Sequence, residues 1–421
     1  MNLYWFLLVV SSLALGSMPA ETVAFGPSAG ASLMLVAAWC VLIQIASRTT
    51  RHAVEQGVDS LAAARMLERQ LDVFRWLGLG VSAICLIGFR VASAVQTWPV
   101  FETSITLQSL VLLAPGVMIT AAVWFSEQRY GVAMGYTEAS GFRVLRDFAN
   151  AMVSTGGWIL APVMLMLMAT DLLRWSKIVD EQSSAVVISI AGIVCVPFFV
   201  PLIIRRLWKT RPLNDADRGW VNSVLASVGM KHLPVCVWDT EMRSNNALVA
   251  GFFPGLRTMI VTDRLMNDMP RRDLAMVLLH EIAHVRHGHV WLRMLAMVPS
   301  WVAASLVSSF IASSSLVTVV TNVVAVAMTL VSLRLVAHAT EYDADRYACR
   351  LALDLPAECD PPKTRQEAAE RYSDSLRWVT RQERSPDRAS WLHPSVSDRC
   401  ERLQRWAGHE SPVTAALPNV G

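Results

Sequence analysis

The sequence predicts a mainly α-helical, polytopic membrane protein of about eight transmembrane helices, with a smaller polar α+β part on one side of the bilayer. Three observations carry that prediction. Of 421 residues, 53% are hydrophobic and only 17% charged, where a soluble domain averages about 25% charged. Long apolar runs recur, each near the roughly 20 residues that span a hydrocarbon core. The connections between them alternate between rich in Lys and Arg and empty of both, the asymmetry that sets orientation. A net charge of +3 makes no case for a nucleic-acid partner. The seven cysteines, odd in number and without a CxxC pair, read as reduced and structural.

Taken in order, the apolar runs fall at about 3–16, 29–46, 73–96, 107–125, 151–170, 184–204, 291–311 and 315–336. Arg75 and Arg90, near the ends of the third, are expected to snorkel to the interface. The first run is short, lacks a basic start and ends in the poor cleavage site Ser17-Met18-Pro19-Ala20, so an uncleaved span is favoured over a signal peptide. Arg48, Arg51, Arg65 and Arg69 follow the second run, Arg129, Arg143 and Arg146 the fourth, and Arg205, Arg206, Lys209 and Arg211 the sixth. Residues 17–28 and 97–106 hold no Lys or Arg, and 171–183 is mixed. Eight spans with both termini inside produce this alternation. The polar stretches 205–290 and 337–421 then share the cytoplasmic side, in a bacterial inner membrane or, as the alternative, the endoplasmic reticulum. The absence of organelle signals favours the former.

Within the polar part, Asn214–Gly229 has the spacing of an amphipathic helix ended by its glycine. Pro234–Trp238, Ala247–Ala250 and Thr258–Thr262 read as short strands bounded by Asp, Asn, Gly and Pro. A helix over Arg271–His289 is expected to run straight into the seventh span. Further helices are expected over 337–352, 364–382 and after Pro394, and Gly408–Gly421 reads as a disordered tail. These readings divide the chain into a transmembrane region at 1–204, a polar domain at 205–407 interrupted by two spans at about 291–336, and a tail at 408–421.

The chemistry concentrates in His280-Glu281-Ile282-Ala283-His284, an HExxH motif in the expected 271–289 helix. Residues four apart share a helix face, so both imidazoles can grip one zinc ion while Glu281 faces the open coordination position. There the carboxylate is placed to take a proton from the attacking water. A metzincin would need Gly at position 287 and His at 290; the chain has His287 and Val290, so that class is excluded. The other class takes a glutamate from a downstream helix. Glu341-Tyr342-Asp343-Ala344-Asp345 supplies it: Glu341 as third ligand and Asp345, on the same face, as partner of a ligand histidine. Two spans lie between His284 and Glu341 and return the chain to the same side, so the two motifs can meet. His287 and His289 read as surface histidines, and Asn245 has no assigned role.

These residues resemble the HtpX and type I CaaX prenyl protease family of membrane metallopeptidases. Arg272–Leu279 leading into HEIAH, then EYDAD, matches its core. Asn246-Ala247-Leu248-Val249-Ala250-Gly251 matches the NAxxxG element, Thr258–Asp263 the strand after it, and His393-Pro394 with Arg399 the HPxxxxR pattern. The likeness spans about 205–407 in conserved order of motifs and leaves the first 200 residues without a family motif. It implies a zincin-like α+β fold with a small sheet against the HExxH helix. It also implies one zinc ion per chain, and a substrate strand pairing along Asn246–Ala250. By the same analogy His393 stabilises the oxyanion and Arg399 orients an acid such as Asp345.

The function expected is therefore a gluzincin-type zinc endopeptidase in a lipid bilayer. It would cut membrane or membrane-proximal polypeptides at the cytoplasmic face, in the manner of protein quality control. A homo-oligomer is compatible with the sequence. The rivals are processing of a lipidated tail, a signalling protease that cleaves a repressor, and a non-enzymatic scaffold or transporter with an inactive site. Short outside loops argue against the signalling rival, and the complete set of ligands and base argues against an inactive site.

Overall fold

The computed structural model describes residues 2–16, 22–135, 141–176, 208–242, 244–251, 253–296, 298–299, 302–303, 306, 315–381, 387 and 389–408. The chain divides into two units, Met1–Val196 with Ser314–Val319, and Pro197–Ser313 with Val320–Gly421. Among the described residues, 5 helices are long and apolar enough to cross a membrane: Phe25–Glu55, Ala62–Gly88, Ile105–Ala133, Ile159–Ser176 and Val323–Leu353. The first expected span is a shorter apolar helix, Leu3–Gly16. The expected span at 184–204 and the tail after 408 lie outside the described residues, as do 297, 300–301, 304–305 and 307–311 of the expected span at 291–311.

In the first unit, helix ends follow local chemistry. Asp59 accepts the Ala62 N–H at 2.9 Å and so starts the Ser60–Ala83 helix. Asp171 accepts the N–H groups of Ile105 and Thr106 at 2.9 and 3.0 Å and the Ser104 hydroxyl at 2.7 Å. Its charge therefore sits at the positive end of the Ile105–Ala133 helix dipole. The run at 73–96 is not one span. A π-helical turn at Ile84–Gly88 ends the membrane helix, Arg90 takes a left-handed conformation (φ 57), and a new short helix begins at Val91. Arg75 is paired: its guanidinium lies 2.8 Å from Asp72 and 3.5 Å from Glu127. Helices close up through glycine, since a Cβ on Gly116 would lie 2.1 Å from Leu8 Cδ1.

The second unit is built on a four-stranded sheet: β1 (Thr210–Pro212), β2 (Val235–Trp238), β3 (Ala247–Ala250) and β4 (Thr258–Thr262), in the order β1-β2-β4-β3. β2 and β4 are parallel, and β1 and β3 run antiparallel to their neighbours. Every residue of β4 is buried, as befits a central strand covered on both faces. β1 was not expected; it is three residues long, contains Arg211 and Pro212, and carries no alternating pattern. The HExxH helix, Arg271–Arg286, packs Leu274, Leu278, Leu279 and Ile282 into one core with Met259 and Val261 of β4. Each such side chain buried contributes about 1.5–3 kcal/mol, which anchors the helix and leaves its other face for chemistry. That core is completed by Val221, Val224 and Leu225 of the Asp215–Ser227 helix and by Ala348, Cys349 and Ala352 of the long Ser315–Ala352 helix. Helices Arg365–Thr380 and Val396–Gly408 close it, so both polar stretches share one core.

One expectation is overturned here. The HExxH helix does not continue into the next segment: it stops at Arg286, Gly288 adopts φ 63, and a separate helix runs from His289 to Leu295. Glycine permits the left-handed turn at no steric cost and so redirects the chain just after the motif.

Candidate active site

The ligand geometry starts from helix periodicity. His280 and His284, one turn apart on the HExxH helix, direct their Nε2 atoms to within 3.1 Å of each other. Glu341 comes in from the long helix, 1% exposed, with Oε1 3.3 Å from His284 Nε2 and Oε2 3.6 Å from His280 Nε2. A tetrahedral zinc with bonds near 2.05 Å has ligand–ligand edges of about 3.3 Å, close to the separations of the two imidazoles from each other and from the carboxylate, which turns a different oxygen to each ring. The two-imidazole, one-carboxylate set is zinc's ordinary catalytic complement. Glu341 Oε2 supports the fit, being a buried oxygen with no hydrogen bond of good geometry, although His393 Nδ1 lies 3.0 Å away. Oε1 accepts a bond from Arg293 Nη2 at 2.8 Å.

Behind His280 stands a buried network. Its Nδ1 lies 3.1 Å from Asp345 Oδ1 and 2.8 Å from Tyr372 Oη, so the neutral ring keeps its proton on Nδ1 and offers Nε2 as the ligand. Tyr372 donates to Asp345 Oδ1 at 2.6 Å. Arg399 clamps the same carboxylate in two-pronged fashion, Nε to Oδ2 at 2.8 Å and Nη2 to Oδ1 at 2.5 Å, and donates to Tyr372 Oη at 3.0 Å. Burial opposes a charge on His280, but Asp345 and Glu341 outweigh it and hold the metal-free imidazole up at about 9. Burial pulls His284 down to about 4. Burial also lifts Glu281, to about 7, against the pull of His280.

Glu281 faces two adjoining cavities. One, of about 410 Å³, is lined by Asn246, Ala247, His280, Glu281, His393 and Arg399 among others. The second, of about 300 Å³, runs along Asn246 and the β3 residues Ala247, Leu248 and Val249 to Trp291 and Arg293. β3 is an edge strand: it pairs with β4 and has no strand on its other side among the described residues. Its outer edge borders the cleft, where an extended peptide can hydrogen-bond. Ala250 is buried at the end of this strand.

The structure thus gathers His280, Glu281, His284, Glu341, Asp345, His393 and Arg399 into one locus bordered by 246–249. His393, over half exposed, reaches the site from the loop before the last helix. Sequence reasoning missed Tyr372 and Arg293, which carry no motif and enter only through tertiary contact. It also misread His289. Only 2% exposed, His289 lies with Nδ1 2.8 Å from His284 Nδ1 and Nε2 3.1 Å from Asp343 Oδ2. The chain break at Gly288 turns it inward. His287 stays exposed and also bonds Asp343.

The sequence model of peptidase family M48 matches residues 218–407. Among solved structures, the crystal structure of S. mikatae Ste24p is similar, with a TM-score of 0.50 and 17% identity, over 91% of this chain and 100% of that one. At that identity the likeness concerns the fold alone. No curated protein sequence matches the chain.

Proposed function

We propose that this chain, a membrane metallopeptidase whose residues 218–407 belong to peptidase family M48, is a zinc-dependent endopeptidase of the gluzincin type. Its substrates would be membrane or membrane-proximal polypeptides. The observation that carries the reading is the convergence of His280 Nε2, His284 Nε2 and the Glu341 carboxylate, with separations of 3.1, 3.3 and 3.6 Å, with Glu281 beside them in a cleft edged by β3.

The residues divide the work. Asn246–Val249 present backbone groups to an extended substrate and set the scissile carbonyl against the ligand cluster. Glu281, whose proton affinity burial has raised toward neutrality, takes a proton from the attacking water and returns it to the leaving amine. When bound, zinc supplies Lewis-acid polarisation of the carbonyl and acidifies water. Asp345, Tyr372 and Arg399 hold His280 in the tautomer that ligates. His393, beside the cleft, is placed to donate to the developing oxyanion. In this reading, residues 1–204 are the membrane region, 205–407 the catalytic domain with spans inserted at about 291–336, and 408–421 a tail. The basic loops support a cytoplasmic active site in a bacterial inner membrane, a setting that suits quality control of membrane proteins.

The test compares the detergent-solubilised protein with Glu281→Gln. Bound zinc is quantified in both, and cleavage of an unfolded model protein such as casein is followed with and without chelator. Equal zinc with cutting only by the native form is the expected result. Zinc in neither form after reconstitution would overturn the metal site and leave the scaffold reading in its place.

A further inference from the structure

The two ligand histidines are supported differently. His280 directs its Nδ1–H at Asp345 and Tyr372. His284 has no carboxylate at its Nδ1; that nitrogen meets His289 Nδ1 at 2.8 Å, and the far nitrogen of His289 meets Asp343 Oδ2 at 3.1 Å. We infer that His289 and Asp343 are positioning residues that fix His284 in its metal-binding tautomer through a carboxylate–imidazole–imidazole chain.

Proton bookkeeping supports this direction and no other. The inference rests on the zinc site proposed above, in which His284 ligates through Nε2. Nε2 must then be bare and Nδ1 must carry the hydrogen. A 2.8 Å contact between two Nδ1 atoms holds one hydrogen, so His289 accepts there and is protonated on Nε2. Its Nε2–H points at Asp343, which ends the chain as an acceptor. Reversing the chain would place the His284 hydrogen on Nε2 and block the ligand atom.

The surroundings fit such a role. Among the described residues, His280 and His289 are the only buried histidines. Gly288, with φ 63, starts a new helix at His289 and turns its ring back under the motif. Asp343 is held from a second side by His287, whose ring stands 4.2 Å from that of Tyr347. Both chains end on aspartates of the Glu341-Tyr342-Asp343-Ala344-Asp345 segment, so one helix delivers the third ligand and the support for both imidazoles.

His287, His289 and Asp343 also lie close enough together to hold a cation of their own. That use excludes the first. A metal on His289 Nε2 would push its hydrogen to Nδ1, against the hydrogen on His284 Nδ1, and set two donors face to face. With zinc on His284, the relay is the arrangement consistent with every hydrogen.

The test measures zinc affinity by chelator competition in the full-length protein, with cleavage at saturating zinc as a second readout. His289→Leu is expected to weaken zinc binding about 10–100-fold. His289→Asn, whose amide oxygen can take the place of Nδ1, is expected to recover most of that loss. Asp343→Asn, at a partly exposed position that leaves the core intact, is expected to weaken binding by a smaller factor and keeps the test alive if His289→Leu misfolds. His289→Leu or Asp343→Asn leaving affinity within twofold of native, while the native form binds one zinc, would overturn the relay alone. A second equivalent of zinc lost on replacing His287 would overturn it in favour of a second metal site. No zinc in the native protein would overturn the relay together with the site it serves.

Discussion

Removal of Arg399 tests the buried network most directly. Arg399 is 7% exposed and Asp345 1% exposed, and their contacts at 2.8 and 2.5 Å are joined by the 3.0 Å bond to Tyr372. Arg399→Ala deletes all three and strands a carboxylate away from water. Breaking a buried pair on one side costs about 3–5 kcal/mol. For a unit of about 200 residues this lowers the melting temperature by roughly 6–20 °C. The assay is thermal unfolding by tryptophan fluorescence at pH 7, with zinc stripped by chelator so that metal loss cannot mimic the effect. Arg399→Ala combined with Asp345→Asn removes both charges and is expected to be more stable than the sum of the two single changes, by about 0.5–3 kcal/mol. A melting temperature within about 3 °C of native for Arg399→Ala, or a strictly additive double change, would refute the argument that this pair is desolvated and mutually dependent.

Three further outcomes are expected. A Cβ on Gly251 would stand 2.7 Å from Leu256 O and 2.8 Å from Arg257 Cα, at φ 115. Gly251→Ala should therefore cost more than about 1 kcal/mol and displace β3, read as a lower melting temperature with reduced cleavage; an unchanged protein would remove the basis for tying β3 to that turn. Gly288→Val should cost about 1–2 kcal/mol because β-branched residues resist the left-handed region, with Gly288→Asn milder; equal stability of the two variants would count against the turn. In the metal-free protein at pH 7, His280, held at about 9, carries a proton, whereas His284, near 4, does not. Zinc uptake should then release at least about one proton, and affinity should fall about tenfold per unit of pH lowered between about 5 and 8. Calorimetry in buffers of different ionisation enthalpy measures this release, and a value near zero would contradict it.

The catalytic motif was legible because its geometry is local. His280 and His284, and likewise Glu341 and Asp345, are four apart on helices, and 3.6 residues per turn places each pair on one face whatever the rest of the chain does. The strands at 235–238, 247–250 and 258–262 were legible for a similar reason, being short apolar segments bounded by turn residues. β1 was not, since Thr210, Arg211 and Pro212 form a strand only because β2 offers them an edge. Hydropathy identified most membrane helices but not their ends: Arg90 and Gly288 break the chain through single left-handed residues inside runs that read as continuous.

Composition and periodicity by themselves determined that this is a membrane chain with an HExxH helix and a downstream acidic partner, because those signals depend on residue type and spacing alone. What surrounds the imidazoles was decided by tertiary structure. Tyr372 reaches His280 across 92 residues and Asp343 reaches His289 across 54. Such contacts leave no periodic trace in sequence; they arise only when packed helices bring a lone hydroxyl or ring within hydrogen-bond reach and burial makes an unpaired proton costly.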